Sequence, residues 1–397
     1  MINPKLLGGI LLIVGTSIGG GMLALPVSTA EAGITTSIIF MIICWLVMTA
    51  GAFLILEVNL RLPAGSNMVS MAKSTFGLPG QVVAWVFYLV LLYALLSAYI
   101  SGGSDVFNGL FHQMHVDLPT WVTSLLFTAI FSMIVYHGIR TVDYVNRGLM
   151  FGKLGVYLLL VLTISPHIHV PAIHTGTART ITASLMILIT SFGFASIVPS
   201  LRDYFHDDVR SLRRVIWLGS FIPLVCYIIW NVVIMGALQH EGSQDVLISL
   251  AHSDHATSGL NEALNTAIHN PWISGFFSFF TSICMVTAFL GVSLGLFDFL
   301  ADGLKLKKSG YQGKVTLLLT FLPPLSIVLI YPGVYLGALG YAGICCVVLL
   351  LLLPALMAWR GRQLADSKAV LMLPGGNVVL LGIMIISVFL LYLAWNG

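Results

Sequence analysis

The stretch Gly15-Thr16-Ser17-Ile18-Gly19-Gly20-Gly21 lies in the middle of an apolar run from about residue 6 to residue 30. The run is long enough to cross a bilayer as a helix, which takes roughly 20 residues. Its centre resists that conformation: four of the seven residues are glycine, and each costs about 1 kcal/mol in a helix interior relative to alanine. A broken helix at membrane depth leaves amides and carbonyls that lipid cannot satisfy, so protein, water or a ligand must take them up. The sequence therefore predicts an interrupted first span whose break is half of a binding site.

The whole chain fits that setting. Of 397 residues, 58% are hydrophobic and 8% charged, against about 25% charged in a soluble globular protein. This is the composition of an all-α polytopic membrane protein. The net charge of +3 gives no reason to expect a nucleic-acid partner. All five cysteines (Cys44, Cys226, Cys284, Cys345 and Cys346) fall in apolar runs and read as small buried hydrophobes, with no disulfide framework, metal site or cofactor expected. Lys5 ahead of the first run is reminiscent of a secretory leader, but the run is too long and many spans follow, so it is expected to remain as the first span.

Eleven apolar runs have spanning length: about 6–30, 35–60, 81–111, 119–137, 148–165, 181–204, 214–238, 273–300, 315–331, 333–358 and 376–396. With the N-terminus inside, seventeen of the eighteen Lys and Arg residues fall on one side, Arg179 being the exception. That asymmetry predicts an N-in, C-out topology. A second interruption, Thr190-Ser191-Phe192-Gly193-Phe194-Ala195-Ser196-Ile197-Val198-Pro199-Ser200, sits in the sixth run. Spans 1–5 and 6–10 thus form two halves of opposite orientation, each opening with a broken helix, the pattern that marks a transporter binding site. The alternative for either break is a packing kink or a glycine-mediated helix crossing. The expected division is one repeat over 1–165, a second over 166–358 and a peripheral piece with span 11 over 359–397. The longest outside loop, 239–271, carries Glu241, Asp245, Asp254 and Glu262. Its segments Val246–Ala251 and Leu260–Ile268 read as short amphipathic helices of a lid, or else as a solvated loop.

The two breaks have complementary chemistry. Free amides of Gly20, Gly21 and Met22 at the start of the second half of span 1 form the positive end of a half-helix dipole, suited to a carboxylate. Carbonyls at the end of its first half, near Val14–Ser17, and near Ser191 and Phe192 in span 6, accept from an ammonium group. Together they match a zwitterionic amino acid, although an ion alone can use such a site. The binding residues expected from the breaks are Thr16, Ser17, Ile18, Gly19, Gly20, Gly21 and Met22, facing Ser191, Phe192, Gly193, Phe194 and Ala195. Tyr93 or Tyr99 in span 3 and Phe289 in span 8 are aromatic-wall candidates, with core packing as the alternative.

Energy coupling needs a group that changes charge. Lys153 stands about six residues into span 5, and a lysine withdrawn from water can release and rebind a proton; the alternative is snorkelling to the headgroups. Glu57 in span 2 is a second proton-coupling candidate, but it lies nearer a span end, as does Asp298, where a structural role competes. No acidic cluster provides a dedicated sodium cage.

The residues Gly15-Thr16-Ser17-Ile18-Gly19-Gly20-Gly21-Met22-Leu23-Ala24-Leu25-Pro26, Thr190-Ser191-Phe192-Gly193-Phe194 and the run from Phe289 to Asp302, Phe-Leu-Gly-Val-Ser-Leu-Gly-Leu-Phe-Asp-Phe-Leu-Ala-Asp, resemble the bacterial aromatic amino acid permeases over nearly the whole chain. The resemblance implies a proton-coupled importer of an aromatic amino acid, tyrosine first, in the bacterial inner membrane. It also implies the LeuT-type five-plus-five inverted repeat with an extra helix. Residues matching Ser17, Ile18, Gly20 and Gly21 hold the substrate's amino and carboxyl groups in that wider superfamily. A lysine matching Lys153 stands where sodium-coupled relatives hold an ion. Members of the family carry His-Gly where this chain has Ala195-Ser196, which puts tyrosine selectivity and the coupling route in question. The expected partners are therefore an aromatic amino acid, a proton and the lipid bilayer. A tryptophan, phenylalanine or broad aromatic permease, and a non-transporting sensor of the same fold, are the alternatives. No nucleophile–base pair or metal-ligand set marks an enzyme.

Overall fold

The computed structural model describes residues 4–168, 178–238, 243–251, 253, 255–363, 373 and 375–396. Glu241 and Asp254, named above, lie outside them. The described residues are helical, with no strand. Among the described residues, nine helices are long and apolar enough to cross a membrane, or ten when the bent pair at the N-terminus is taken as one. A further apolar helix, α5, runs from Thr120 to Tyr136.

In chain order, the bent pair is α1 (Pro4–Ser17) and α2 (Gly20–Ser28), followed by α3 (Ile34–Asn59). Next comes α4 (Met68–Gln113), which begins well before the apolar run at 81. Its first turns form a short segment that ends at Gly77, whose φ of +68° only glycine adopts readily. Pro79 then restarts the helix, so Lys73 sits on a helical foot below the span and not in a loop. After α5 come α6 (Ile139–Ile164), then α7 (Ala178–Ser191) and α8 (Val198–Phe205), the two pieces of the second interrupted run. They are followed by α9 (Val209–Ala237), α10 (Ser243–Ala251), α11 (Ala256–Ile268), α12 (Pro271–Gly303) and α13 (Gly310–Ile330). The last helices are α14 (Tyr335–Cys346) and α15 (Leu353–Gln363), joined through a π-helical turn over Val347–Leu352, and α16 (Gly376–Asn396).

The interrupted helices sit at the centre. α1 packs on α9, α2 on α7, and α12 and α14 both pack against α4. Close backbone approach fixes several seams: a Cβ at Gly343 of α14 would stand 2.1 Å from the Met186 carbonyl oxygen of α7, and one at Gly51 of α3 2.3 Å from that of Leu350 in the π-helical turn. Around this core, α5, α13 and α16 expose large apolar side chains such as Met133, Leu322, Ile330, Ile385 and Val388. Such a surface is tolerable only against lipid, and the chain is a multi-pass membrane protein. α10 and α11, on the connection read as lid or loop, are ordered helices packed on α2 and, for α11, also on α4 and α12.

Candidate functional site

The two interruptions meet. α1 and α2 are bent by 50°. The Ile18 amide still reaches back to the Val14 carbonyl (2.8 Å), and Gly19 is extended (φ −158°, ψ −148°). The amides of Gly20 and Gly21 then begin α2 with no hydrogen-bond acceptor among the described residues. Met22 departs from the expectation of a free amide: its N–H donates to the Gly19 carbonyl (3.2 Å), closing a tight first turn. The second interruption takes a different form. α7 stops at Ser191, a 3₁₀ turn covers Gly193–Ile197, and α8 continues with Pro199 in its first turn. Ala195 and Ser196, where a bulkier pair is expected from the family pattern, lie in that turn; Ala195 is fully buried.

Glycine makes the contact between the breaks possible. A Cβ at Gly21 would stand 2.9 Å from the Ser191 hydroxyl, and one at Gly20 2.6 Å from the Tyr99 ring. Across the junction lies Tyr227 of α9, fully buried, with its hydroxyl 2.6 Å from the Ser17 carbonyl and 2.9 Å from the Ser191 carbonyl. A phenol carries one proton, so it can donate to only one of these two acceptors at a time. Tyr335 of α14 donates to the Gly20 carbonyl (2.5 Å), and Lys153 of α6 donates to the Ile18 carbonyl (2.5 Å). Three side chains from three helices thus hold the carbonyls of one break. The Ser17 hydroxyl beside them is buried and has no hydrogen-bond partner. The site therefore presents unused donors at Gly20 and Gly21, an unused hydroxyl at Ser17 and one carbonyl short of a proton.

Not every expected residue is brought here. Thr16 is exposed and its hydroxyl is spent on Leu12 of its own helix (2.7 Å). Tyr93 turns away and donates to the Leu319 carbonyl of α13 (2.7 Å); Tyr99 occupies the place against Gly20. Phe192 packs at 5.1 Å from the Tyr227 ring, and Phe194 is buried. Gly193 faces Cys346 at the end of α14. Phe289 is buried in a cluster with Phe127, Phe131 and Phe321, while its neighbour Ala288 faces Gly19. Sequence reasoning missed Tyr227 and Tyr335, because a tyrosine inside an apolar span looks like core; the available signal was a hydroxyl that burial obliges to find an acceptor.

The ionisable groups separate into two kinds. Lys153 is 1% exposed and its ammonium points at the span 1 break. Glu57 is buried between Arg61 (2.9 Å) and Arg362 (2.6 Å), which ties α3 to the end of α15. Asp298 pairs with Lys308 (2.8 Å) at the end of α12, and this hydrogen bond holds the exposed Lys308 ammonium above the usual lysine range. Asp105 near the far end of α4 accepts from the Thr257 and Ser258 amides (2.9 and 2.8 Å) and from the Ser258 hydroxyl. It thereby caps α11 from a neighbouring helix.

The sequence model of the tryptophan/tyrosine permease family matches residues 2–394 of this chain. Tyrosine-specific transport system 1 of Haemophilus influenzae is 32% identical, over 97% of this chain and 95% of its own length. The tryptophan-specific transport protein of the same organism is also 32% identical, over 96% and 94%. Glutamine transporter 2 of Aliivibrio fischeri is 30% identical, over 91% and 90%. A match of this extent, on a helical membrane chain whose two interrupted helices meet, leads to one assignment. The chain belongs to the tryptophan/tyrosine permease family and is a transporter, not an enzyme.

Proposed function

We propose that the chain imports an aromatic amino acid, tyrosine before tryptophan or phenylalanine, by proton symport and alternating access in the bacterial inner membrane. Its N-terminus is cytoplasmic and its C-terminus external, with α5 as one of eleven spans. The observation that carries this reading is the junction at Tyr227: two backbone carbonyls from different broken helices share one phenolic proton, a few residues from the unpartnered Gly20 and Gly21 amides. A substrate ammonium supplies the missing donor and its carboxylate takes the amides, while Phe192, Tyr99 and Met285 supply apolar wall.

The packing supports two inverted five-span halves. Pairing span 1 with 6, 2 with 7 and so on, each inter-helix seam should have a mate. The α1/α9 seam has one in α7/α3, and the α2/α9 seam in α8/α3; α4/α5 has α12/α13; α5/α12 has α13/α4; α6/α9 has α15/α3. The relatives' names span tyrosine, tryptophan and glutamine, so the test is competition. Reconstituted protein should accumulate labelled tyrosine when the outside is acidified and lose most of that uptake to excess unlabelled tryptophan or phenylalanine. Glutamine should compete weakly. Accumulation indifferent to the proton gradient removes the symport, and preferential competition by glutamine removes the aromatic assignment.

A further inference from the structure

The far end of α4 and the helix α11 are joined through one carboxylate. His255 stands at the N-cap of α11, but its side chain makes no capping bond to its own helix. Asp105 takes that role from α4. Its Oδ2 accepts from the Thr257 and Ser258 amides (2.9 and 2.8 Å) and its Oδ1 from the Ser258 hydroxyl. The His255 ring completes the set, with Nδ1 3.0 Å from Oδ1. Serving four donors at once requires an ionised carboxylate, which only accepts, so the imidazole must carry a hydrogen on Nδ1.

The sequence limits what can neutralise this carboxylate. Neither 74–139 nor 215–304 contains a lysine or arginine, and of the helices packed on α11, α2 has no ionisable side chain, while α9 and α12 carry their charged residues at the ends away from this connection. The other titratable groups at this corner are few. His112 and Asp117 pair with each other (2.8 Å) in solvent, and Glu262 lies along the same cleft as His255. α10 contributes Asp245, the far end of α11 His269, and α14 the Tyr335 hydroxyl, which is given to Gly20. Among the described residues, His255 is thus the one basic side chain paired with Asp105. Histidine is a cation only in acid, its charge changing between about pH 5 and 8. The ring is 55% exposed and can exchange its proton with solvent, whereas the carboxylate is 6% exposed.

We propose that Asp105 and His255 form a proton-binding site, separate from the transport junction, that latches α11 to α4 in acid and loosens as the pH rises. Protonation sets a full charge against the ionised carboxylate. Once neutral, the ring keeps the contact in only one of its two tautomers; in the other a lone pair faces the carboxylate. The added hold is therefore present in acid and lost as the pH rises through the histidine range. The latch is one helical turn from Gly102, where a Cβ would stand 3.2 Å from the Tyr335 ring, and Tyr335 holds the Gly20 carbonyl of the first break. That the latch reads external acid rests on the proposed topology; the latch itself rests on the contacts above.

The test is hydrogen exchange of the purified full chain without substrate, with rates corrected for the intrinsic base dependence of exchange. Protection over residues 256–268 should fall about fivefold between about pH 5.5 and about pH 8, the upper end of what an exposed ion pair supplies. His255→Gln keeps a donor without a titratable charge, so protection should be flat across this range at the alkaline level of the unaltered chain. His255→Lys keeps its charge throughout and should hold the acid level at alkaline pH, a gain that mere loss of packing does not produce. His112→Gln should leave the pH dependence intact. Protection in the unaltered chain that ignores pH overturns the proposal. So does a pH dependence that survives His255→Gln or disappears in His112→Gln. None of these readings involves the carried amino acid or its coupling, so failure of the latch and failure of the transport assignment are told apart.

Discussion

Lys153 is a buried cation whose one hydrogen-bond partner among the described residues is a backbone carbonyl, that of Ile18. A carbonyl offers a partial charge, so the ammonium is held by geometry more than by compensation, an arrangement in which a proton can be given up without stranding a buried carboxylate. Lys153→Gln keeps a donor near Ile18 and removes the titratable charge. Exchange of tyrosine across the membrane should continue, while accumulation driven by a pH gradient should fall by about tenfold or more, as read by uptake into proteoliposomes. Accumulation at the unaltered ratio takes Lys153 out of the coupling. Tyr227→Phe separates two roles for the hydroxyl. Without it, the Ser17 and Ser191 carbonyls are buried and undonated in the unliganded protein, which costs about 1–3 kcal/mol. If the substrate ammonium takes the hydroxyl's place, the variant should melt lower alone, yet gain more stability from tyrosine than the unaltered chain does. An equal loss with and without tyrosine means that the phenol stays in the bound complex.

At the scale of elements, the break in the first span was legible because four glycines cannot be mistaken for helix core. The second was legible by its Gly and Pro, but its form was not: a 3₁₀ turn joins α7 to α8, whereas the glycines of α1/α2 allow a 50° bend. Tyr93 and Tyr99 looked interchangeable in sequence. Six residues at about 100° each place them some 120° apart around α4, so only Tyr99 reaches Gly20 while Tyr93 reaches α13. The π-helical turn over Val347–Leu352 has no sequence signature, and only the structure shows Gly51 packed against it. Glu57 looked like a proton carrier because a carboxylate inside a span needs a reason. In the structure it is paired with two arginines, Arg61 in the turn after its own helix and Arg362 on α15. Glu57→Gln leaves the Arg362 guanidinium, 6% exposed, without its counter-charge, and breaking such a buried pair costs about 3–5 kcal/mol. The variant should show a clearly lower melting temperature with tyrosine affinity little changed. A stable Glu57→Gln protein that has lost proton coupling restores Glu57 as a carrier. The α11 cap makes a parallel case: Asp105→Ala removes acceptors from the Thr257 and Ser258 amides, worth about 1 kcal/mol. It should speed hydrogen exchange through Ala256–Ile268 without weakening tyrosine binding at the junction.

For the whole molecule, the pairing of seams is most informative where it fails. The α7/α14 seam is among the tightest in the protein, with Gly343 laid on the Met186 carbonyl and the Thr190 hydroxyl donating to the Leu339 carbonyl (2.9 Å). Its mate under the two-halves relation is α1 against α6, which is not among the substantial seams of the described residues; Thr16 on α1 and Phe151 on α6 are exposed beside it. Under the proposed topology the closed seam is the external one, reinforced by α10 and α11 on α2, and the loose seam is cytoplasmic. Alternating access requires these two seams to exchange, and a side chain at Gly343 opposes the closed external seam because its Cβ has no room. A cysteine placed at Thr16 should therefore react with a membrane-impermeant maleimide from the cytoplasmic side, above the background of the five native thiols, of which Cys44, Cys284, Cys345 and Cys346 are buried. Adding Gly343→Leu should slow that reaction by about tenfold, a shift of roughly 1.4 kcal/mol between the two arrangements. The same variant should speed labelling of a cysteine introduced at Ser184, whose hydroxyl donates to the Ser28 carbonyl across the outer halves of the broken helices. Labelling rates at both positions that ignore Gly343→Leu mean that the two seams are independent, and rocking of one half against the other is then not how this chain moves its cargo.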